Sequence, residues 1–179
     1  MSEQISGGAG MPDGWQRLWA PHRMQYLTGE NRPLPGNSIE CPFCKIPSMN
    51  DEDGLIVFRG KEAYVVMNLY PYNAGHLLIC ANRHVADFTD LTISERNEIS
   101  ELTSHAMKTL RKVGNAAGFN LGMNQGDVSG AGVAGHIHQR IVPRWSGDAN
   151  FMPVIGATKV LPQLLTDTRN LFAEAWPNA

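Results

Sequence analysis

The stretch Gly-His-Ile-His-Gln-Arg-Ile-Val-Pro-Arg at residues 135–144 decides how the rest of the chain is interpreted. Its alternation of apolar and polar residues predicts a β-strand over residues 136–142. Alternate side chains of a strand share a face, so His136, His138 and Arg140 are expected to point one way and the isoleucines between them the other. Such a face suits a phosphate, because a guanidinium binds phosphate oxygens as a fork and a neutral imidazole can attack phosphorus.

The segment before this strand is rich in glycine. Residues 126–135 read Gly-Asp-Val-Ser-Gly-Ala-Gly-Val-Ala-Gly and follow a second strand-like run at residues 119–124. Glycines let backbone N–H groups approach an anion closely, so the loop and the strand together predict a phosphate site. The residues themselves leave two alternatives open: a metal site built on the His-x-His pair, and an edge strand whose histidines are packed or simply exposed.

The composition is that of an ordinary globular protein. The 179 residues are 42% hydrophobic and 18% charged with a formal net charge of −2, which suits one folded domain. The near-neutral charge gives no excess of basic residues that would bind nucleic acid. No apolar run approaches the roughly 20 residues that cross a bilayer. Residues 1–14 are small and polar and lack the apolar segment of a secretory signal, so we expect a cytoplasmic protein. The number of cysteines is odd, at three, so no disulfide framework is expected.

Short apolar runs separated by turn residues predict further strands at residues 55–58, 63–68 and 76–80. After residue 92 the apolar residues recur at steps of three and four residues. Thr92 and Glu95 fit a capping box, and the pattern predicts a helix of about five turns that closes near Gly118.

A last amphipathic helix is predicted from the apolar residues between Leu161 and Trp176. The order of strands, helix, strands and helix predicts an α+β fold with a mainly antiparallel sheet. Residues 1–14 are small and polar and are expected to form a disordered tail. Residues 15–179 are expected to form a single domain.

Residues 135–144 resemble the signature of the histidine triad (HIT) superfamily, in which three histidines alternate with apolar residues before a Pro-Arg pair. Further matches lie in one order along residues 15–175: Asn68, eight residues before His76, and Asn124 before the glycine-rich loop. Three segments are similar to the branch that contains the bacterial diadenosine tetraphosphate phosphorylases, at residues 17–21, 68–73 and 143–151.

This resemblance implies a HIT-like, nucleotide-binding fold with a five-stranded sheet, one long helix and a C-terminal helix. It implies that His138, at the middle triad position, attacks the α-phosphorus of a nucleotide, and that His76 helps to orient the triad. Asn68 would bind the ribose hydroxyls. The α-phosphate would be held by Asn124, Gly130, Ala131 and Gly132.

Arg140 stands at the third triad position, where the superfamily has histidine. The related hexose-1-phosphate uridylyltransferases have glutamine there and transfer the nucleotide instead of hydrolysing it. Arginine stays protonated, so it neutralises phosphate charge but cannot donate a catalytic proton. The departure predicts a leaving group that departs as an anion, such as polyphosphate or sulfate, and weighs against a phosphoramidase. It also provides a cation that can hold inorganic phosphate as acceptor.

Cys41 and Cys44 have the spacing that lets two thiolates reach one ion. Redox pairs share this spacing, but the βαβ context of those proteins is missing. Resemblance to zinc-binding members of the superfamily implies that His84 and His136 complete a Cys₂His₂ site. A closed site of this kind is structural, and no organic cofactor is expected. The third cysteine, Cys80, is expected to be a buried thiol.

The combined prediction is an enzyme that cleaves an adenosine 5′-phosphoanhydride, such as diadenosine tetraphosphate, through a covalent nucleotidyl-histidine with inorganic phosphate as acceptor. Three alternatives remain: an adenylyl sulfate:phosphate adenylyltransferase, a dinucleoside polyphosphate hydrolase, and a non-catalytic nucleotide-binding protein. The resemblance implies a homodimer, for which Arg144, Trp145 and Trp176 are candidate interface or substrate-site residues. No nucleic-acid or membrane partner is expected.

Overall fold

The computed structural model of the protein describes residues 41–148 and 162–177. This part of the chain contains a five-stranded antiparallel sheet in the order β1-β2-β3-β5-β4. The strands are β1 Ile56–Arg59, β2 Ala63–Met67, β3 Leu77–Ala81, β4 Gly118–Met123 and β5 His138–Arg144. The α-helices are α1 Pro42–Lys45, α2 Ile93–Gly114 and α3 Leu165–Ala175. The predicted α+β fold with an antiparallel sheet is confirmed.

Two predictions about the N-terminal part lie outside the described residues. They are the disordered tail at residues 1–14 and the extension of the domain back to residue 15. The single-domain boundary at residues 15–179 therefore stays a prediction. No helix within the two described ranges combines the length and apolar character needed to span a membrane.

Two element boundaries differ from the predictions. The strand expected from residue 136 begins at His138, because the backbone N–H of Ile137 donates to Val85 O at 2.7 Å instead of joining the sheet. The long helix ends at Gly114, not near Gly118, because Asn115 adopts a left-handed conformation with φ 50° and closes it. Gly118 already begins β4.

One face of the sheet packs against α2 and α3 and forms the main hydrophobic core. Leu77 and Ile79 of β3 and Ile141 of β5 are fully buried there against α2 residues that include Leu110. Trp176 is also buried, with its ring 5.4 Å from that of Phe58. Trp176 therefore belongs to the core, and the prediction that it lines an interface or the substrate site is not supported.

The opposite face of the sheet carries a second, smaller buried cluster. It contains Cys41, Phe43, Tyr64, Val66, Leu78 and Cys80. Cys80 is fully buried, as predicted for a thiol. Residues of β3 and β5 that alternate with the main-core residues point to this side, so the face opposite the helices is where the candidate site residues are expected.

Candidate active site and metal centre

His76, His138 and Arg140 lie on the sheet face opposite α2. In the antiparallel register Cys80 pairs with His138 and Leu78 pairs with Arg140. His76 is two residues before Leu78, so its side chain is on the same face. Gln139 between them points the other way, where its Nε2 donates to Thr103 Oγ1 of α2 at 2.8 Å. The register thus brings His76 to the same face as His138 and Arg140, which follow it by more than sixty positions in the sequence.

His138 is held in one tautomer. Its Nδ1 lies 2.9 Å from the carbonyl oxygen of His136. A carbonyl oxygen only accepts, so Nδ1 carries the proton and Nε2 keeps a free lone pair. Burial, together with the charge of Arg140, lowers the pKa of His138 to about 4 despite the raising effect of this hydrogen bond. The imidazole is therefore neutral at physiological pH, and its Nε2 has the free lone pair that a nucleophile requires.

His76 is held in the opposite tautomer, with its proton on Nε2. Its Nδ1 accepts from the backbone N–H of Tyr72 at 3.1 Å and lies 3.1 Å from Asn68 Nδ2. Nε2 therefore carries the proton, and it is buried with no partner among the described residues. Burial, followed by the charges of Arg140 and His138, lowers the pKa of His76 to about 3. His76 is thus a neutral hydrogen-bond donor through Nε2.

Asn68 is tied to both His76 and its own turn. Its Nδ2 contacts His76, and its Oδ1 accepts from the backbone N–H of Tyr70 at 3.0 Å. The side chain is half-buried. The structure therefore supports a turn-forming role for Asn68, and its predicted contact with ribose stays a prediction.

Arg140 is half-buried and has no charge partner among the residues that the structure describes. Its Nε and Nη1 are buried without a hydrogen-bond partner in residues 41–148 and 162–177. Within the same ranges no carboxylate forms an ion pair with it. The guanidinium carbon lies 5.7 Å from the centre of the Tyr72 ring, and the Tyr72 ring also packs on His76 at 4.8 Å. Tyr72 therefore joins the two predicted site residues.

Asn124 organises the beginning of the glycine-rich loop. Its Nδ2 donates to Ser129 O at 3.0 Å. Gly126 and Gly130 have positive φ of 80° and 79°, a conformation that favours glycine. Gly130 and Ala131 are buried and Gly132 is half-buried. The loop continues directly into His136, and the predicted α-phosphate contacts of these residues stay predictions.

The four predicted metal ligands come together in one cluster, in which all the ligating atoms lie within 4.8 Å of one another. The Sγ–Nδ1 distances are 3.4 Å for Cys41–His136, 3.2 Å for Cys44–His84 and 3.5 Å for Cys44–His136. A tetrahedral zinc ion with ordinary bond lengths would separate sulfur and nitrogen ligands by about 3.6 Å. The cluster can therefore hold a metal ion of that size.

The surroundings of the cluster also fit a cation. His136 Nε2 donates to Ala81 O at 2.8 Å, which directs the Nδ1 lone pair at the two thiols. Burial, followed by the hydrogen bond and charge of the neighbouring Cys41, raises the pKa of the Cys44 thiol to about 11. Two thiolates this close repel each other unless a cation lies between them, so the donor set matches a bound metal.

A family model for the HIT domain matches residues 50–147. The chain belongs to the HIT domain family. A protein named AP-4-A phosphorylase from Mycobacterium tuberculosis is 46% identical over 172 residues, which cover 94% of this chain and 88% of that protein. These two matches confirm the predicted superfamily and the predicted branch.

More distant members of the HIT family match part of the chain. A Schizosaccharomyces pombe protein named asymmetrical bis(5′-nucleosyl)-tetraphosphatase is 31% identical over 93 residues, covering 52% of this chain and 50% of that protein. The crystal structure of a zinc-bound histidine triad family protein from Mycobacterium smegmatis has a TM-score of 0.61 at 22% identity, covering 78% of this chain and 94% of that chain. At this identity the structural match supports the fold alone.

The sequence-based reasoning missed two side chains that shape the site. Tyr72 packs on His76 and Arg140, and the Phe43 ring lies 4.8 Å from that of His138. Both belong to segments already identified for other reasons, the turn at residues 68–73 and the Cys-x-x-Cys segment. The position of each aromatic residue inside a segment that carries a functional motif was the only sequence feature that could have indicated its place in the site.

Proposed function

We propose that this HIT protein transfers the adenylyl group of a 5′-phosphoanhydride, such as diadenosine tetraphosphate, to inorganic phosphate through His138. The observation that carries the proposal is the His138–His136 hydrogen bond of 2.9 Å, which leaves Nε2 as a free base. The M. tuberculosis relative named AP-4-A phosphorylase supports the substrate class.

In the first step His138 Nε2 attacks the α-phosphorus in line. An N–P bond forms, the bond from phosphorus to the bridging oxygen breaks, and ATP leaves as an anion when diadenosine tetraphosphate is the donor. The imidazole becomes positively charged, and its Nδ1 proton stays on the hydrogen bond to His136 O. Arg140 neutralises the charge that develops on the phosphoryl oxygens. Asn68 is proposed to bind the ribose, with Asn124, Gly130, Ala131 and Gly132 at the α-phosphate.

In the second step an oxygen of inorganic phosphate attacks the same phosphorus. ADP forms as the N–P bond breaks, and the electron pair of that bond returns to His138 Nε2. Arg140 cannot donate a proton to either departing group. The site therefore suits donors whose leaving groups are stable as anions, and adenylyl sulfate, which releases sulfate, is the second candidate donor on this ground.

We propose that the Cys₂His₂ cluster holds zinc. The ligands would be Cys41, Cys44, His84 and His136, with no position left for substrate, so zinc would supply a structural cross-link and no chemistry. It would connect α1 to the residue two positions before the nucleophile. The approach of all four ligating atoms to within 4.8 Å of one another supports this proposal.

We also propose a homodimer that extends the sheet across β4. β4 is at one edge of the sheet and Leu121 on it is 48% exposed, which leaves an edge available for pairing. Two of the candidate interface residues have internal partners: Arg144 pairs with Asp148 at 2.6 Å, and Trp145 Nε1 donates to Gly114 O at 2.9 Å. A cytoplasmic location stays a prediction from the sequence.

The test is product analysis by chromatography. Purified protein is incubated with diadenosine tetraphosphate, and separately with adenylyl sulfate, each with and without inorganic phosphate. We expect ADP only when phosphate is present, and the faster donor identifies the preferred substrate. AMP in equal amounts with and without phosphate would contradict the acceptor assignment, and no product from either donor would favour a nucleotide-binding protein without catalysis.

A further inference from the structure

We propose that Asn73 and Asp148 are positioning residues for adenylyl transfer. The hydrogen bond between their side chains holds the turn at residues 68–76 against the end of β5, and this turn holds the His76 ring in its Nε2–H tautomer. Both residues act through His76 and not on the reacting atoms. The inference rests on the proposed function, since it names what aligns His76 with the strand that carries His138.

The turn at residues 68–76 is folded around His76. The backbone N–H of Asn68 donates to His76 O at 2.9 Å, and the backbone N–H of His76 donates to Asn73 O at 3.2 Å. The backbone N–H of Tyr72 donates to Nδ1 of the ring at 3.1 Å. This N–H fixes the tautomer, because the Asn68 amide beside the same nitrogen can present either a donor or an acceptor. The proton therefore stays on Nε2 only while the turn keeps its shape.

Asn73 is the buried member of an otherwise exposed turn. Tyr70 and Tyr72 are 80% and 53% exposed, whereas Asn73 is 6% exposed. A buried amide costs free energy unless its hydrogen bonds are made. The Nδ2 of Asn73 donates to Pro143 O at 3.0 Å and to Asp148 Oδ2 at 2.8 Å. This amide therefore fastens the exposed turn to two points at the end of β5.

Asp148 is held as a charged acceptor for Asn73. Its carboxylate is 9% exposed. It accepts from Nε and Nη2 of Arg144 at 2.6 and 2.9 Å and from the backbone N–H of Trp145 at 3.2 Å. The hydrogen bonds from Arg144, followed by that from Trp145, hold the pKa of Asp148 far below its usual range. An ionised carboxylate makes stronger hydrogen bonds than a neutral acceptor, so the bond to Asn73 is a firm one.

The carboxylate is fixed relative to the sheet. Arg144 belongs to β5, and its Nη1 donates to Asn120 Oδ1 of β4 at 2.8 Å. Asp148 is thereby tied to the strand that carries His138, while Asn73 is tied to the turn that surrounds His76. The pair joins the two halves of the site at a point outside the register of the sheet. A displacement of about 1 Å at a catalytic group can cost about 10²-fold in rate, so this second attachment matters for the reaction.

The first test is the tautomer of His76 in the intact protein, read from NMR spectra of the imidazole nitrogens. His76→Phe identifies the signals by their loss. We expect the Nε2–H tautomer in the wild-type protein, and a mixture of both tautomers in Asn73→Ala and Asp148→Ala, because the Tyr72 N–H is no longer held at Nδ1. The tautomer of His138 is the internal control, since it depends on a carbonyl of its own segment and should not change.

The second test is kinetic. Both alanine variants are expected to lower kcat for adenylyl transfer by about tenfold and to change the KM for phosphate by less than about twofold, because the strand that carries Arg140 keeps its place. Asp148→Asn keeps an oxygen for Asn73 without the charge, so its kcat should be intermediate. Asp51→Ala is the control. It removes a carboxylate that pairs with Arg59 at 2.8 Å on β1, and it should leave kcat and the His76 tautomer unchanged.

Thermal melting shows which variants are folded at the temperature of measurement, and Asp148→Asn decides by the same two readouts if the alanine variants unfold. A wild-type tautomer of His76 or a wild-type kcat in folded Asn73→Ala and Asp148→Ala proteins would overturn the positioning pair. A changed tautomer in these variants of a protein that transfers no adenylyl group would contradict the proposed function alone. Adenylyl transfer that proceeds unchanged in folded variants would contradict the pair alone.

Discussion

At the scale of single residues, the site depends on where protons lie on two imidazoles. His138 carries its proton on Nδ1 because it faces the His136 carbonyl, and His76 carries its proton on Nε2 because Nδ1 faces a backbone N–H and an amide. The His138 ring therefore has a free lone pair on Nε2, as the proposed nucleophile requires, and the His76 ring has a free N–H donor. Arg140 between them stays charged, so the three residues have distinct roles although all are basic side chains.

Replacement of the nucleophile should separate catalysis from binding. We expect His138→Ala to reduce adenylyl transfer by about 10³-fold or more, because the described part of this face offers no other free base in line with the proposed α-phosphate site. Nucleotide binding, measured by calorimetry with a non-hydrolysable dinucleotide, should persist. Retention of turnover would contradict the assignment of His138, and turnover absent from the wild-type protein as well would favour a binding protein.

Replacement of Arg140 by histidine should alter the choice of acceptor. Arg140→His restores the superfamily residue and removes the permanent positive charge, so the ratio of ADP to AMP formed in the presence of phosphate is expected to fall. The ratio is measured by chromatography at several phosphate concentrations. An unchanged ratio would contradict a role of Arg140 in phosphate selection.

At the scale of elements, the turn between β2 and β3 is constrained by the helices beneath it. Gly75 has φ +74°, and a Cβ there would lie 3.1 Å from Phe172 Cζ of α3 and 3.2 Å from Leu110 Cδ2 of α2. Residue 75 immediately precedes His76, so the packing of two helices determines where His76 lies just before β3. This explains the Gly-His pair in the sequence.

Gly75→Ala is therefore expected to lower the free energy of unfolding by about 1–3 kcal/mol, through the left-handed backbone and the steric overlap. Gly122→Ala is the matched control, because a Cβ at Gly122 meets nothing within 4 Å and no positive φ is required. Urea unfolding followed by circular dichroism measures both. Equal stability of the two variants would contradict the packing argument.

The beginning of α2 is held by a charged network. Thr92 and Glu95 form a capping box, and Arg83 donates to both oxygens of Glu95 at 3.0 and 2.9 Å. The hydrogen bonds from Arg83, followed by those from the backbone and side chain of Thr92, lower the pKa of Glu95 to about 2 despite burial. The unfolded chain has a glutamate pKa of about 4.3.

Because the folded pKa is the lower one, ionised Glu95 stabilises the protein above about pH 5, and this contribution is lost as the pH falls toward 2. We expect Glu95→Gln to cost about 1 kcal/mol at neutral pH, a value typical of a lost cap, since half of Arg83 is exposed and screening weakens the ion pair. The difference from wild type, measured by urea unfolding at several pH values, should shrink on acidification. A difference that is constant with pH would contradict this account.

At the scale of the whole molecule, the metal cluster connects parts of the chain that are distant in sequence. Cys41 and His136 are 95 residues apart, and Cys44 and His84 are 40 apart. A bound ion would therefore fix α1 against the segment that leads into β5. The position of His138 relative to the smaller core then depends on this cross-link.

We expect purified protein to contain about one equivalent of zinc, and Cys44→Ser or a chelator to reduce metal content and lower the melting temperature by more than about 5 °C. Cys80→Ala is the control, because Cys80 is buried but outside the cluster and its loss should leave the zinc content unchanged. Less than about half an equivalent of zinc in wild-type protein with reduced Cys41 and Cys44 would count against the site.

The sequence by itself determined the order of elements, the alternation that places His138 and Arg140 on one face, the Cys-x-x-Cys pair and the departure at the third triad position. These features follow from periodicity and spacing, which depend on near neighbours in the chain. The resemblance carried by the motifs added His84 and His136 as the remaining ligands.

Only the tertiary structure decided which ring nitrogens are free, that His136 lies before the strand, and that Trp176 is in the core. Each of these depends on a partner from another part of the chain: Tyr72 N–H for the His76 ring, Val85 O for the Ile137 N–H before β5, and Phe58 for Trp176. Hydrogen-bond partners and burial are set when distant segments pack together. Local pattern can therefore name the reactive residues, but their protonation and free donors are properties of the folded chain.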